Sequence, residues 1–369
     1  MRTRRFLILM IIIMASLGLR LPYASRLLPI TAVASDIEVG SPAELEAVMT
    51  SAIRAVRESI KISIEGYDEQ SYDINGIFNN VLEKNADLGF VAGCSTSITK
   101  TFGRPDVLLE LKLQYLYSPE KVSEMRKEAD LKADEIVSRI IKPGMSEYEK
   151  VLAVHDHLIR NSVYDRANAD NASVPPEEHE AYGVIVNGIG VCDSYAKAVK
   201  LLLDKAGVEC VIVEGTSAEA PGQSADHAWN IVWIEGEYYH LDATWDDVSE
   251  ERGSDTTAYF YFNLGDTDMQ KTHFWDEGRY PACRGTKYNY FVYNGLCADN
   301  YDEALSMLTK AVSKREKRLM IRIADYSNSE YNIEAMLRKA AEKSRLRYGI
   351  RAKWIMNDSL GILDMEFEY

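Results

Sequence analysis

The sequence predicts an α+β protein: a helix that opens on a cysteine, packed on an antiparallel sheet carrying a histidine and an aspartate, with one small α/β unit used twice around it. Three observations lead there. Apolar residues recur at helical spacing after Cys192, at Ala196, Val199, Leu202 and Leu203. Strand-like runs follow in "VECVIVEG", "HAWNIVWI" and "EYYHL", the last two joined across Glu235 to Glu237 as a hairpin. Residues 44–84 also align without a gap on residues 303–343, with ten of the 41 positions identical. A helix followed by hairpin-linked strands favours an α+β arrangement over parallel βαβ units.

The chain has 369 residues and a formal charge of −15. Residues 1–35 are set apart as a secretory signal peptide. Arg2, Arg4 and Arg5 precede the apolar run "FLILMIIIMASLGL", and Ala32 to Ala34 offers a small-x-small cleavage site. The interval carrying Arg20 and Arg26 also suits an uncleaved anchor, although the apolar run is short for a full span. This segment holds five Arg and no acidic residue, so the charge without it is −20. A surface that acidic repels phosphate backbones and anionic lipid. The expectation is a secreted or cell-surface protein without a nucleic-acid partner, meeting a membrane only through an uncleaved anchor. The five cysteines (Cys94, Cys192, Cys210, Cys283, Cys297) are too scattered for a disulfide scaffold, and their odd number leaves a free thiol. Cys283 and Cys297 flank a turn-rich aromatic segment and form the candidate pair. Cys210 reads as a buried strand residue.

The repeated unit spans residues 36–117 and 299–369. Each copy reads as helix, short alternating strand, Tyr-containing turn and second helix, with Ile62/Ile321, Ile64/Ile323, Tyr67/Tyr326, Tyr72/Tyr331 and Ile74/Ile333 coinciding. "VLLELKLQY" (107–115) and "ILDMEFEY" (362–369) close the copies as strands with one buried face. Units this small are marginal alone, so they are expected to pack on each other or on the centre. No aromatic cluster or ligand set recurs in both, which favours a structural clasp over a binding module.

The central region, 118–298, begins with a charged helix (Ser118 to Ile141), the break "KPGMS", and a helix from Glu147 to about Asn161. In it, His155 and His157 stand at i and i+2 on different faces, against a shared metal. The loop "RANADNASVPPEEHEA" leads to the Cys192 helix.

A thiol nucleophile needs stabilisation of its thiolate, a base within hydrogen-bond reach and a group that orients the base. Cys192 stands at a helix start, where the dipole favours a thiolate. His227 begins one hairpin strand and Asp242 ends the other, so antiparallel pairing brings them to one end of the sheet. His240, two residues before Asp242, is an accessory base or a solvated edge-strand residue, the latter preferred. Acyl transfer also demands donors for an oxyanion. The backbone N–H of Cys192 is the first, and Tyr182 or Asn187 a second. Trp229 and Trp245 flank the strands and either wall a cleft or belong to the core.

"HEAYGVIVNG", "GVCDSYAKAVKLLLDKAG" and "DHAWNIVWIEGEYYHLDATWDD" together resemble the transglutaminase-like superfamily, most closely its bacterial secreted branch. The resemblance covers roughly residues 118–298. It implies a papain-like core in which Cys192 is the nucleophile, His227 the general base and acid, and Asp242 the orienting carboxylate. One departure stands out: bacterial members often carry Gln-Gly after the cysteine, where this chain has Asp193-Ser194. An ionised Asp193 beside the thiolate opposes it unless it turns away. The resemblance implies a cysteine-dependent amide hydrolase or acyltransferase; no ligand-spaced loop implies calcium, no cofactor or metal is expected, and an extracellular location favours a peptide, protein or peptidoglycan-type substrate. The contrasting expectation, motivated by Asp193, is an inactive binding or structural protein at the cell surface. In a third, the end units regulate the cleft.

Overall fold

The computed structural model describes residues 37–369 except 86–87, 101–102, 104, 171, 219–223, 249–256, 328 and 345–348. The signal peptide expected at 1–35 lies outside the described residues.

The N-terminal unit runs β1 (Ile37–Val39), α1 (Pro42–Arg54), β2 (Ser59–Ile64), α2 (Ile74–Lys84), β3 (Val91–Lys100) and β4 (Val107–Tyr115). Its helices form where the sequence caps them: the Ser41 and Asp73 side chains accept from the amides of Glu44 and Gly76. The sheet order is β1-β2-β4-β3, with β1–β2 parallel and the other pairs antiparallel. One face buries Ile62, Ile64, Leu109 and Leu111 against α1 and α2.

The centre contributes α3 (Pro119–Ile140), α4 (Glu147–Asn161) and α5 (Cys192–Ala206), then β5 (Cys210–Ser217), β6 (Ala225–Ile234), β7 (Glu237–Leu241), β8 (Phe262–Leu264) and β9 (His273–Phe274). The five strands order as β8-β7-β6-β5-β9, all antiparallel. The β6–β7 turn is tight because Glu235 and Gly236 both take left-handed conformations, φ 46° and 103°. The apolar stripe of α5, with Ala198, Val199, Leu202 and Leu203, is buried on this sheet beside Val213, Trp229 and Ile231. Gly207 ends α5 at φ 73°.

The C-terminal unit comprises β10 (Cys297–Ala298), α6 (Tyr301–Lys314), β11 (Arg318–Ile323), α7 (Ile333–Lys343), β12 (Arg351–Asn357) and β13 (Ile362–Glu368). Its sheet order, β10-β11-β13-β12, has the topology of the first unit, and β11 and α7 start 259 residues after β2 and α2.

The two units dock differently. The first inserts Phe90, 1% exposed, against Val122 and Met125 of α3, and Tyr117 hydrogen-bonds Glu177. The second lays a sheet face on the centre: Leu360 and Ile362 join the central core. Arg318 bonds the Thr257 carbonyl (2.9 Å) and buried Asp364, while Arg322 pairs with Asp268 (2.6 Å). The expected Cys283–Cys297 bond is not formed. Cys283 is buried and Cys297 lies exposed on β10, both free.

Candidate active site

Each long helix except α5 begins with a side-chain cap, from Ser41, Asp73, Ser118, Ser146, Asn300 and Asn332. Helix α5 begins after Val191, which has no capping group. Among the described residues the amides of Val191, Ser194 and Tyr195 are bonded to Glu178, Asp193 and Val191, whereas that of Cys192 stays open to an incoming anion. Glycine precedes this start for a steric reason: a Cβ on Gly190 would lie 2.5 Å from Ser194 Oγ. That hydroxyl donates to the Glu180 carbonyl at 2.6 Å and accepts from the Val184 amide, tying the cysteine end of α5 to the preceding segment.

The half-buried Cys192 at the start of α5 lies beside His227 on β6, near enough for its sulfur to act on the charge of the imidazole. The His227 ring presents Nε2 to Asp242 Oδ2 at 2.7 Å, which leaves Nδ1 for the sulfur. Burial opposes a charge on this imidazole, but the Asp242 carboxylate and the Cys192 sulfur outweigh it and raise its pKa to about 10. Asp242 itself is fully buried; burial disfavours its ionisation, and His227 and His273 together hold it well below the usual carboxylate range. It accepts four hydrogen bonds. Oδ1 takes the amides of Thr244 (2.9 Å) and Trp245 (3.1 Å), and Oδ2 takes His227 and, at 3.0 Å, Nε2 of His273 from β9.

Asp193, the residue that departs from the family pattern, is engaged by His179. Nδ1 of His179 lies 3.0 and 3.2 Å from its two carboxylate oxygens, and this bond raises the His179 pKa above its ordinary value. In its protonated form His179 offsets the negative charge next to the nucleophile.

The structure corrects several sequence expectations. The Tyr182 hydroxyl is taken up by Glu128 on α3, to which it donates, and its ring packs with Phe90. Asn187 is exposed and lines a cavity of about 320 Å³ with Arg139, His157 and Asn161. Trp229 is 1% exposed and belongs to the core, stacked 6.0 Å from His227, so it walls no cleft. Trp245 is half-buried against His227, His273 and Tyr261. His240 is no edge residue, since β7 lies inside the sheet and the ring is fully buried. Its Nδ1 accepts from Trp229 Nε1 (3.0 Å) and its Nε2 lies 2.9 Å from Asp266. His155 likewise bonds Asp246, at 3.0 Å.

Among the described residues, two groups bring three potential metal donors together, His227/Asp242/His273 and His240/Asp266/Cys283. In the first, both histidines already direct Nε2 at one oxygen of Asp242. In the second, the donor-only indole of Trp229 occupies Nδ1 of His240, so the ring proton sits on Nε2, the atom that would have to bind the metal. Both sets are built for hydrogen bonding.

Residues 134–243 match the family model of the transglutaminase-like superfamily. This region belongs to that superfamily. The matched region includes Cys192, His227 and Asp242 and ends one residue past the last. Over 122 residues, 30% of the chain, the protein is 31% identical to kyphoscoliosis peptidase of Homo sapiens and, equally, of Mus musculus. The matched part spans 18% of the length of those relatives. Among solved structures, a TGase crystal structure aligns over 51% of each chain at 15% identity with a TM-score of 0.29.

His273 escaped sequence reasoning. It lies 31 positions beyond Asp242 in the two-residue strand β9, and no local periodicity announces it.

Proposed function

We propose that the protein is a cysteine-dependent amide hydrolase or acyltransferase in which Cys192 is the nucleophile, His227 the general base and acid, and Asp242 the orienting carboxylate. The observation that carries this reading is Cys192 at the open start of α5 beside His227, whose Nε2 is bonded to a buried, fully bonded Asp242. His227 accepts the thiol proton, and the thiolate attacks the amide carbonyl with the oxyanion against the Cys192 amide. The imidazolium then protonates the leaving amine, giving a thioester that water or a second amine resolves.

The peptidase name of the two curated relatives and the leader-like residues 1–35 favour hydrolysis of peptide, protein or cell-wall amide bonds outside the cell. The contact of His179 with Asp193 weighs against the binding-protein alternative, which Asp193 motivated.

The test is Cys192 alkylation by iodoacetamide as a function of pH, read by mass spectrometry, in the wild type and in His227→Ala. A reactive plateau reached well below the free-thiol value of about 8.5 and absent from the variant is the expected result. Identical profiles that rise only near that value would remove the enzyme reading.

A further inference from the structure

Asp242 is shared. His227 and His273 direct Nε2 at the same oxygen, at 2.7 and 3.0 Å, with ring centroids 5.3 Å apart, and both are buried. A carboxylate with one free oxygen could rotate or take up a proton. Here the two amides on Oδ1 and the two imidazoles on Oδ2 saturate it, and every partner is a donor.

The two imidazoles are unlike. His227 has the Cys192 sulfur on its far side, so it can carry charge as one half of an ion pair. His273 has the Thr272 hydroxyl there instead, 2.9 Å from Nδ1. Around it lie the rings of Trp229, Trp245 and Tyr261 at 5.0, 4.6 and 5.2 Å. The charged and titratable groups near it are Asp242, His227, His240 and Tyr261. Burial, His227 and His240 outweigh Asp242 and lower its pKa, so His273 remains neutral while His227 takes the proton. A neutral donor of this kind holds the carboxylate without competing for charge.

We propose that His273 is a positioning residue of the site, a neutral Nε2–H donor that fixes the Asp242 carboxylate so that it can orient and charge His227. This rests on the proposed triad. It also assigns a task to β9: two residues paired with β5 at the edge of the sheet, Ser217 opposite His273, deliver one ring nitrogen to a carboxylate beyond the end of β7.

The first measurement needs no variant. In protein with ¹⁵N-labelled histidine, the ring shifts of His273 should report the Nε2–H tautomer, unchanged from pH 7 to pH 9, while His227 stays protonated across that range. An Nδ1–H tautomer, or titration of His273 within the range, would overturn the proposal, because Asp242 would then lack a neutral donor.

The second compares His273→Gln, which keeps an N–H near the Nε2 position, with the similarly sized His273→Leu, which does not. The low-pH plateau of Cys192 alkylation should fall about tenfold or more in the leucine variant and return to within about threefold of wild type in the glutamine variant. Equal profiles in all three, or equal loss in two folded variants, would reduce His273 to packing. A wild type with no plateau would count against the triad instead, while the tautomer measurement would still decide the His273–Asp242 bond.

Discussion

Asp242→Asn tests the electrostatic heart of the site. The substitution keeps shape but removes charge, and it meets an environment made only of donors. Whichever way the new amide turns, its NH₂ faces either two backbone amides or two imidazoles. The raised pKa of His227, about 10 against an ordinary 6.5, corresponds to about 5 kcal/mol favouring the imidazolium, part of it owed to Cys192. Breaking a buried pair costs about 3–5 kcal/mol, so the variant should lose stability of that order at neutral pH.

The pH dependence has a definite sign. Asp242 is depressed in the folded state, so its contribution is present above the unfolded value near 3.9 and is lost as pH falls through the folded one. His227 is raised, so its contribution is complete below 6.5 and disappears as pH rises through about 10. Urea unfolding of both proteins, followed by tryptophan fluorescence, should show the largest difference between about pH 4 and 6.5 and a shrinking one toward pH 10 and below pH 3. A difference constant across that range would refute the charge-based account, since a steric cost does not titrate.

Other outcomes follow from neighbouring contacts. His179→Ala should slow Cys192 alkylation about three- to tenfold at acidic and neutral pH by exposing the nucleophile to Asp193. Because the pKa of His179 is raised, that deficit should vanish at alkaline pH, where wild-type His179 is neutral as well. Phe90→Ala should cost about 3–5 kcal/mol and render the N-terminal unit sensitive to limited proteolysis, with undiminished resistance counting against Phe90 as its anchor. Arg318→Met should destabilise by about 3–5 kcal/mol, leaving buried Asp364 without its guanidinium, and Asp364→Leu on that background should recover much of the loss in chemical denaturation.

The features legible in sequence were those with short-range causes. The α5 stripe and the Glu235-Gly236 turn announce themselves in consecutive residues, and the repeat declares itself as a constant offset. Strand β3 was missed because "GCSTSITK" is polar on both faces and exposed, so it shows no alternation. Strands β1 and β10 are too short to have a period. Burial of the helix start, which sends Tyr182 toward α3, is a matter of how the segment 176–190 rolls against two other elements. The pattern of apolar residues does not encode that roll. His240 looked like an edge residue until β8, formed twenty-one positions later, covered β7.

The central core has one further consequence, for any attempt to isolate it. The family match stops at residue 243, yet the apolar interior that holds it includes Tyr259, Phe262, Leu264, Phe291, Leu360 and Ile362. A fragment cut to the family boundaries would keep the nucleophile, base and carboxylate. It would also bare the side of the sheet that β8 and the C-terminal unit cover, and lose His273. Such a fragment should aggregate or remain molten, and its inactivity would say nothing about the chemistry of the intact chain.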